Sequence, residues 1–276
     1  MVLESLLSPT HPPKKSKIFL IGLLFSSIAV LLSIWVFKDF ASLTVVFLTV
    51  MACLPFIYKT IQIQEEEDLN TFKETTILKE HGKAISAFLF LFFGITVSFA
   101  MWYVFLPPAS ATNLFQAQTN TIININHRLA PNAIQALASL SVIFFNNLKV
   151  LIFCILFSFL YGAGAIFILT WNASVIGTAI GNFIRSNLGS IAASSDLVRA
   201  SNYFQIFSIG LMRYAIHGIP EILAYVTAGL AGSIISVAVI THNFPTNKFG
   251  RIILDSSSLI IISLLLLVIS ALLEVY

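Results

Sequence analysis

The sequence predicts an all-α protein that crosses a lipid bilayer several times. Of its 276 residues, 58% are hydrophobic and only 10% are charged. A single soluble core could not hide that much apolar surface and still leave a charged exterior to face water. The apolar residues also fall in stretches of about 20, the length that a helix needs to cross a hydrocarbon core of about 30 Å.

Laid along the chain, this length criterion predicts about six membrane spans. They cover residues 18–37, 40–58, 84–106, 148–171, 222–240 and 257–275. The region 204–240 is too long for one span and is interrupted at Gly218 and Pro220, so we expect a broken helix there. Its first part, residues 204–216, is predicted to be a half-helix that enters the membrane only partway.

Two parts are predicted, divided after residue 83. Residues 1–83 form a two-span hairpin with an acidic cytoplasmic linker, and residues 84–276 form the main membrane domain. Lys14 and Lys15 precede a first apolar stretch that is long enough to span and has no small-residue cleavage site at its end, so it is a retained span. The linker carries four consecutive acidic residues from Glu65 to Asp68, which predict a solvated helix, with a docking surface as the alternative.

The outer loop, residues 107–147, is rich in Ser, Thr, Asn and Gln rather than charge. It begins with Pro107 and Pro108, which stop the preceding helix. From Pro131 onward the apolar residues recur at helical spacing, which predicts an amphipathic helix on the outer membrane face. The alternative is that this segment simply leads into the fourth span. With the N-terminus inside, most of the 15 Lys and Arg residues fall on the cytoplasmic side, which favours a multi-pass protein with both termini in the cytoplasm.

A polar cluster marks the broken helix. Arg213, His217 and Glu221 are spaced by four residues and would share one face of a continuous helix. Gly218 directly follows His217 and belongs to the same cluster. Ionisable groups inside a bilayer are costly and are functional candidates by default. The cluster predicts a site that binds a ligand or ion or relays a proton. The alternative is a purely structural salt bridge and hydrogen-bond clamp.

A second set of residues is predicted to mediate helix packing. Small side chains let helix backbones approach closely, and amides bond across helices or cap helix ends. The set consists of Asn146, Asn147, Gly162, Gly164, Gly177, Gly181, Gly229 and Gly232.

Catalytic motifs are missing from the sequence. It contains no HExxH, GxSxG, phosphate-binding or dinucleotide-binding pattern. Cys53 and Cys154 have no zinc-ligand spacing, and the five His residues are scattered, so neither a metal nor a cofactor is predicted. The net charge of +3 is small, which argues against nucleic acid as a partner.

Several of these features occur in an order typical of one family. Phe145-Asn146-Asn147 is followed by the glycine-rich Tyr161-Gly162-Ala163-Gly164 and then by His217-Gly218-Ile219-Pro220-Glu221. In this order the chain resembles the stage II sporulation protein M family over residues 84–276. The resemblance implies a non-enzymatic, multi-span membrane protein. In spore-forming bacteria the family's namesake anchors cell-wall-degrading proteins at the engulfing membrane.

Function is therefore predicted to be that of a scaffold or assembly component in the cell membrane. Its expected partners are the lipid bilayer and other membrane or extracytoplasmic proteins, with a homo-oligomer as a further alternative. The competing hypothesis is a transporter or channel subunit that uses Arg213, His217 and Glu221. An intramembrane enzyme would need a second polar cluster within the spans, and the sequence offers none.

Overall fold

The computed structural model describes residues 13–69, 82–128, 133–158, 163–191, 218–235 and 247–275. Within these ranges the chain is helical apart from short connections, with a 3-10 turn at Lys38–Phe40. The α-helices are α1 Lys15–Val36, α2 Ala41–Leu69, α3 Gly82–Phe105, α4 Pro108–Leu114, α5 Gln116–Arg128, α6 Ala133–Ser158, α7 Ala163–Ile191, α8 Gly218–Ile235 and α9 Asn247–Val275. The predicted half-helix at 204–216 lies outside the described residues.

The prediction of a polytopic helical membrane protein is confirmed. Seven of the described helices contain a stretch that is long and apolar enough to cross a membrane: α1, α2, α3, α6, α7, α8 and α9. The additional helix comes from the predicted span 148–171, which the structure divides between α6 and α7. The segment from Ala133 is not a separate outer helix either, because it is continuous with the rest of α6.

α7 was missed as a separate span because its apolar pattern is diluted. Asn172, Ser174 and Thr178 lie in its middle, and it has the lowest hydropathy of the seven. These polar groups are satisfied within the helix: Asn172 donates to the carbonyl of Ile168 at 2.8 Å, and Thr178 donates to the carbonyl of Ser174 at 2.7 Å. A polar residue whose hydrogen bonds are made locally is much less costly in a bilayer than its type suggests.

α1, α3 and α7 run in the same direction. Ser27 of α1 is 3.0 Å from Ser98 of α3, and Gly22 lies beside Leu91, so positions on the two helices advance together. On the opposite side of α3, Gly177 packs against Phe99 and Gly181 packs against Tyr103. α3 is therefore the central helix, in contact with α1 along one face and with α7 along another.

α6 and α8 run opposite to α7. Gly229 of α8 packs against Ala165 near the start of α7. Gly218 lies beside Ile176 further along α7, where a Cβ added to the glycine would be 3.5 Å from the Ile176 side chain. Gly229 and Gly232 also pack against α6, at Cys154 and Ile155. The last helix, α9, brings Glu274 near its C-terminal end close enough to Glu221 for the two carboxyl groups to repel each other, so α9 runs opposite to α8.

The first part of the predicted outer loop folds back onto the helices. Pro108 takes the first position of α4, where its missing N–H is not needed. The chain then turns at Phe115 into α5. Leu114 and Phe115 are fully buried, and the Phe115 ring lies 6.0 Å from that of Phe99 and 5.4 Å from that of Tyr103. This segment is therefore a packed part of the fold.

Candidate functional site

The candidate site surrounds Glu221, which lies on the described part of α8, residues 218–235. Pro220 precedes it in the same helical stretch and has no N–H to donate. An acidic side chain thus lies directly after a proline on a helix that is apolar enough to span a membrane.

One hydrogen bond from the same helix holds the Glu221 carboxylate. The hydroxyl of Tyr225, one turn further along α8, donates to Glu221 Oε1 at 2.8 Å. Tyr225 itself is 1% exposed, and its backbone carbonyl accepts a hydrogen bond from Cys154 Sγ of α6 at 3.2 Å. Glu221 and Tyr225 are thus positioned as a unit against α6, with Glu274 of α9 nearby.

This unit lies level with the middle of the apolar stretch of α7. Gly218 approaches Ile176, and Ile176 is the central residue of the stretch Ala165–Asn187. Glu221 follows Gly218 by three residues, which is about 4.5 Å along the helix axis. A carboxyl group on a candidate membrane span needs a protein partner, since the hydrocarbon offers none.

The other members of the predicted cluster, Arg213 and His217, lie outside the described residues. Gly218 is buried, and among the described residues a Cβ added there would make an ordinary 3.5 Å contact with Ile176.

Four of the predicted packing glycines lie at helix crossings where a side chain would collide. A Cβ on Gly177 would come within 2.9 Å of the Thr96 carbonyl, and one on Gly181 within 2.6 Å of Tyr103 Cβ. On α8, a Cβ on Gly229 would lie 2.6 Å from Ala165 Cβ. At Gly232 the obstacle is the carbonyl of Ile155, at 2.7 Å. At Gly177, Gly181 and Gly232 a backbone carbonyl of the facing helix lies within 3.1 Å of the added Cβ, whereas at Gly229 the obstacles are short side chains.

The remaining predicted residues are less informative. Asn147 is buried and Asn146 is exposed, and the Asn146 amide donates to Asn147 Oδ1 at 3.5 Å. Gly164 lies in the first turn of α7. Gly162 falls outside the described residues.

A further glycine crossing joins α1 to α3 and was not predicted. A Cβ on Gly94 would overlap the carbonyl of Phe19, and one on Gly22 would lie 2.7 Å from the carbonyl of Leu91. The signal was present in the sequence, because Gly22 is followed four residues later by Ser26 and Gly94 by Ser98. Both are small-xxx-small spacings, the pattern typical of close transmembrane crossings.

Gln118 was also missed, because it looked like one of many polar residues in an outer loop. It is fully buried on α5. Its Nε2 donates to the backbone carbonyl of Ser42 on α2 at 3.1 Å and to Ser174 Oγ on α7 at 3.3 Å. One amide thus connects α5 to two candidate spans, α2 and α7.

Arg185 closes the C-terminal end of α3. Its guanidinium donates to the carbonyl of Leu106 and lies 5.8 Å from the centre of the Tyr103 ring. The Tyr103 hydroxyl in turn donates to Asn182 Oδ1 at 3.3 Å. A cation at a helix C-terminus satisfies a carbonyl that lacks an intrahelical partner and complements the helix dipole. Arg185 therefore lies beside the end of α3 that leads into α4.

A bundle of apolar helices joined at glycine crossings defines the chain as a polytopic α-helical membrane protein. The comparison with protein families makes this assignment specific. Residues 86–276 match the family of stage II sporulation protein M, and the chain belongs to that family. No curated protein and no solved structure matches it. α1 and α2 precede the matched region.

Proposed function

We propose that this chain is a non-enzymatic scaffold or assembly component of a complex in the cell membrane. The observation that carries the proposal is the set of glycine crossings that join α1 to α3, α3 to α7, and α8 to α6 and α7. The family to which the chain belongs is not known for catalysis.

Backbone contact at these crossings favours a fixed arrangement of helices. Packing in a membrane depends on van der Waals contact rather than on a hydrophobic driving force between helices. Dispersion attraction falls steeply when two surfaces separate by even 1 Å. A scaffold needs such a fixed shape, whereas a carrier must move its helices against one another in each cycle.

The surface available to partners is concentrated on α6. Among the seven candidate spans it is the least buried within the chain. Its outward face carries Phe145, Phe153 and Phe157, with the last two rings stacked at 6.1 Å. Aromatic side chains supply large contact areas at low entropic cost, so this face suits the docking of another membrane protein.

We also propose an orientation in which the N-terminus is cytoplasmic. Among the described residues near the helix ends, Lys14, Lys15, Lys17, Lys59 and Lys83 lie on the side of the N-terminus. Lys38 and Arg185 lie on the other side, and this imbalance follows the positive-inside rule. Since α9 runs in the same direction as α1, the C-terminus would then lie outside, rather than inside as predicted from six spans.

The test compares partner capture by variants of two exposed faces. The tagged protein is cross-linked in its native membrane and purified, and the captured proteins are identified by mass spectrometry. We expect one reproducible partner set that is lost in Phe153→Ala/Phe157→Ala. It should be kept in Ile261→Ala/Leu265→Ala, a matched change on the exposed face of α9. Equal capture by both double variants would refute α6 as the docking face.

A transporter or channel subunit is the second candidate, and it is favoured by the presence of the carboxylate of Glu221 on the candidate span α8. The two functions predict different behaviour for Glu221→Gln, which keeps the shape of the side chain and can still accept the bond from Tyr225. A scaffold variant should keep its partners and show at most a stability loss. A transporter variant should fold normally and lose flux. Solute movement by reconstituted protein that disappears in this variant would replace the scaffold proposal.

A further inference from the structure

We propose that a groove between α1 and α3 binds one acyl chain of a membrane lipid. The groove has a volume of about 230 Å³. Its walls come from both helices and are formed by Leu23, Ser27, Ser98, Met101, Trp102 and Phe105.

The open side of the groove faces the hydrocarbon region. Both walls belong to helices that are long and apolar enough to span. Met101 is 46% exposed and Phe105 is 74% exposed, so none of the residues that the structure describes covers the opening at these two side chains. Whatever fills the groove must come from the surrounding bilayer or from another protein within it.

The two serine hydroxyl groups of the groove do not need a polar ligand as a hydrogen-bond partner. Ser27 Oγ and Ser98 Oγ lie 3.0 Å apart, and the Ser27 hydroxyl donates to the carbonyl of Leu23 at 2.7 Å. The Ser98 hydroxyl can therefore donate to Ser27 Oγ, which leaves both hydroxyl protons bonded. An occupant without hydrogen-bonding groups breaks none of these bonds.

The dimensions select a single hydrocarbon chain. Along α3 the groove runs from Ser98 to Phe105, about 10.5 Å at the rise of a helix. Dividing the volume of about 230 Å³ by this length gives a mean cross-section of about 22 Å². Carbon atoms in contact lie about 4 Å apart, so one extended hydrocarbon chain occupies roughly 16 Å², and the groove has room for one such chain but not for two. A helix, about 10 Å across, cannot enter.

Exposed aromatic residues show which leaflet of the bilayer would supply the bound acyl chain. Trp35 and Phe40 lie at the end of the α1–α2 hairpin and Phe105 at the end of α3, and all three are more than 70% exposed. Aromatic side chains collect at the membrane interface, so this end of the groove meets the headgroup region. From there the groove leads toward Leu23, and its occupant belongs to the leaflet on the side of Pro107.

Trp102 in the wall allows occupancy to be measured directly. The protein has three tryptophans, so Trp35→Phe/Trp171→Phe leaves Trp102 as the sole tryptophan, which can be excited selectively over tyrosine. The variant is reconstituted in vesicles that mix dioleoyl phosphatidylcholine with its dibrominated analogue, whose bromines quench tryptophan on contact. A bound chain should quench Trp102 at lower fractions of brominated lipid than random contact predicts.

Two substitutions in this background test the site itself. Ser27→Leu fills the groove and should reduce quenching to the level of random contact, whereas Leu24→Phe adds bulk on the exposed lipid face of α1 and should leave quenching unchanged. Elution in detergent and thermal unfolding show whether both fold. If Ser27→Leu does not fold, Met101→Ala serves instead: it widens the groove, and specific quenching should persist.

Two results would overturn the proposal. One is quenching of Trp102 that follows the bulk fraction of brominated lipid and has the same extent in the Ser27→Leu variant. The other is protection of Trp102 from brominated lipid, which would show that a second protein chain covers the groove.

Discussion

Replacing Gly94 by alanine should push α1 away from α3 and destabilise the bundle. The added Cβ would overlap the carbonyl of Phe19 and lie 3.1 Å from the amide nitrogen of Leu23. Both obstacles are backbone atoms, so no rotamer change can relieve the collision, and the helices must separate by about 1 Å. A gap of that size forfeits a quarter to a half of each dispersion contact.

The net effect follows from two opposing terms. Overpacking costs about 1–3 kcal/mol, and a backbone obstacle places Gly94→Ala at the upper end of that range. Replacing glycine by alanine inside a helix returns about 1 kcal/mol. We therefore expect a loss of roughly 2 kcal/mol in the free energy of unfolding.

The matched control is Gly82→Ala, at the start of the same helix. A Cβ there meets no atom of the described residues within 4 Å, so the substitution should leave stability unchanged or raise it by up to about 1 kcal/mol. Thermal unfolding of both variants in the same detergent, followed by circular dichroism, measures the difference. If Gly94→Ala were as stable as Gly82→Ala, the backbone contact between α1 and α3 would not exist.

Three further predictions concern polar contacts. Gln118→Leu keeps the approximate volume but removes both hydrogen bonds, including that to Ser174, so we expect a loss of about 1–3 kcal/mol. Hydrogen exchange in α5 should be faster than in the native protein, and unchanged exchange would argue against this role. Arg185→Met leaves the last carbonyl of α3 without its donor and should lower the melting temperature, and Arg185→Lys should recover part of the loss. Tyr225→Phe removes the hydrogen bond to Glu221 and should cost about 1–3 kcal/mol in thermal unfolding, with no loss of captured partners if the chain is a scaffold.

Hydropathy predicted the class of fold well, because an apolar stretch of about 20 residues has few alternatives to crossing a bilayer. It located α1, α3 and the later part of α9 closely. It did not place the boundary between α6 and α7, since the apolar pattern continues through residues 148–171 and shows no break. It also could not reveal that Asn172 and Thr178 bond to carbonyls of their own helix, which makes a moderately polar span acceptable.

The packing residues were only partly predictable, for a different physical reason. A small-xxx-small spacing identifies a face that can approach another helix, but it does not identify which helix. Gly177 and Gly181 could therefore be selected from the sequence, while their partners Phe99 and Tyr103 could not. Gln118 gives no local signal at all, because its burial results from the turn at Phe115 that folds α5 against the bundle.

The contact between α1 and α3 joins the N-terminal hairpin to the region that matches the family. The matched region begins at residue 86, so Gly94 lies within it and Gly22 lies outside. Yet a Cβ at either position would meet the backbone of the other helix at closer range than an ordinary contact. The N-terminal hairpin therefore covers one face of the central helix of the family domain, and α7 covers another. A change in α1 can reach α7 through the rigid body of α3, so the hairpin belongs to the same mechanical unit as the family domain and any partner held by one part is positioned by both.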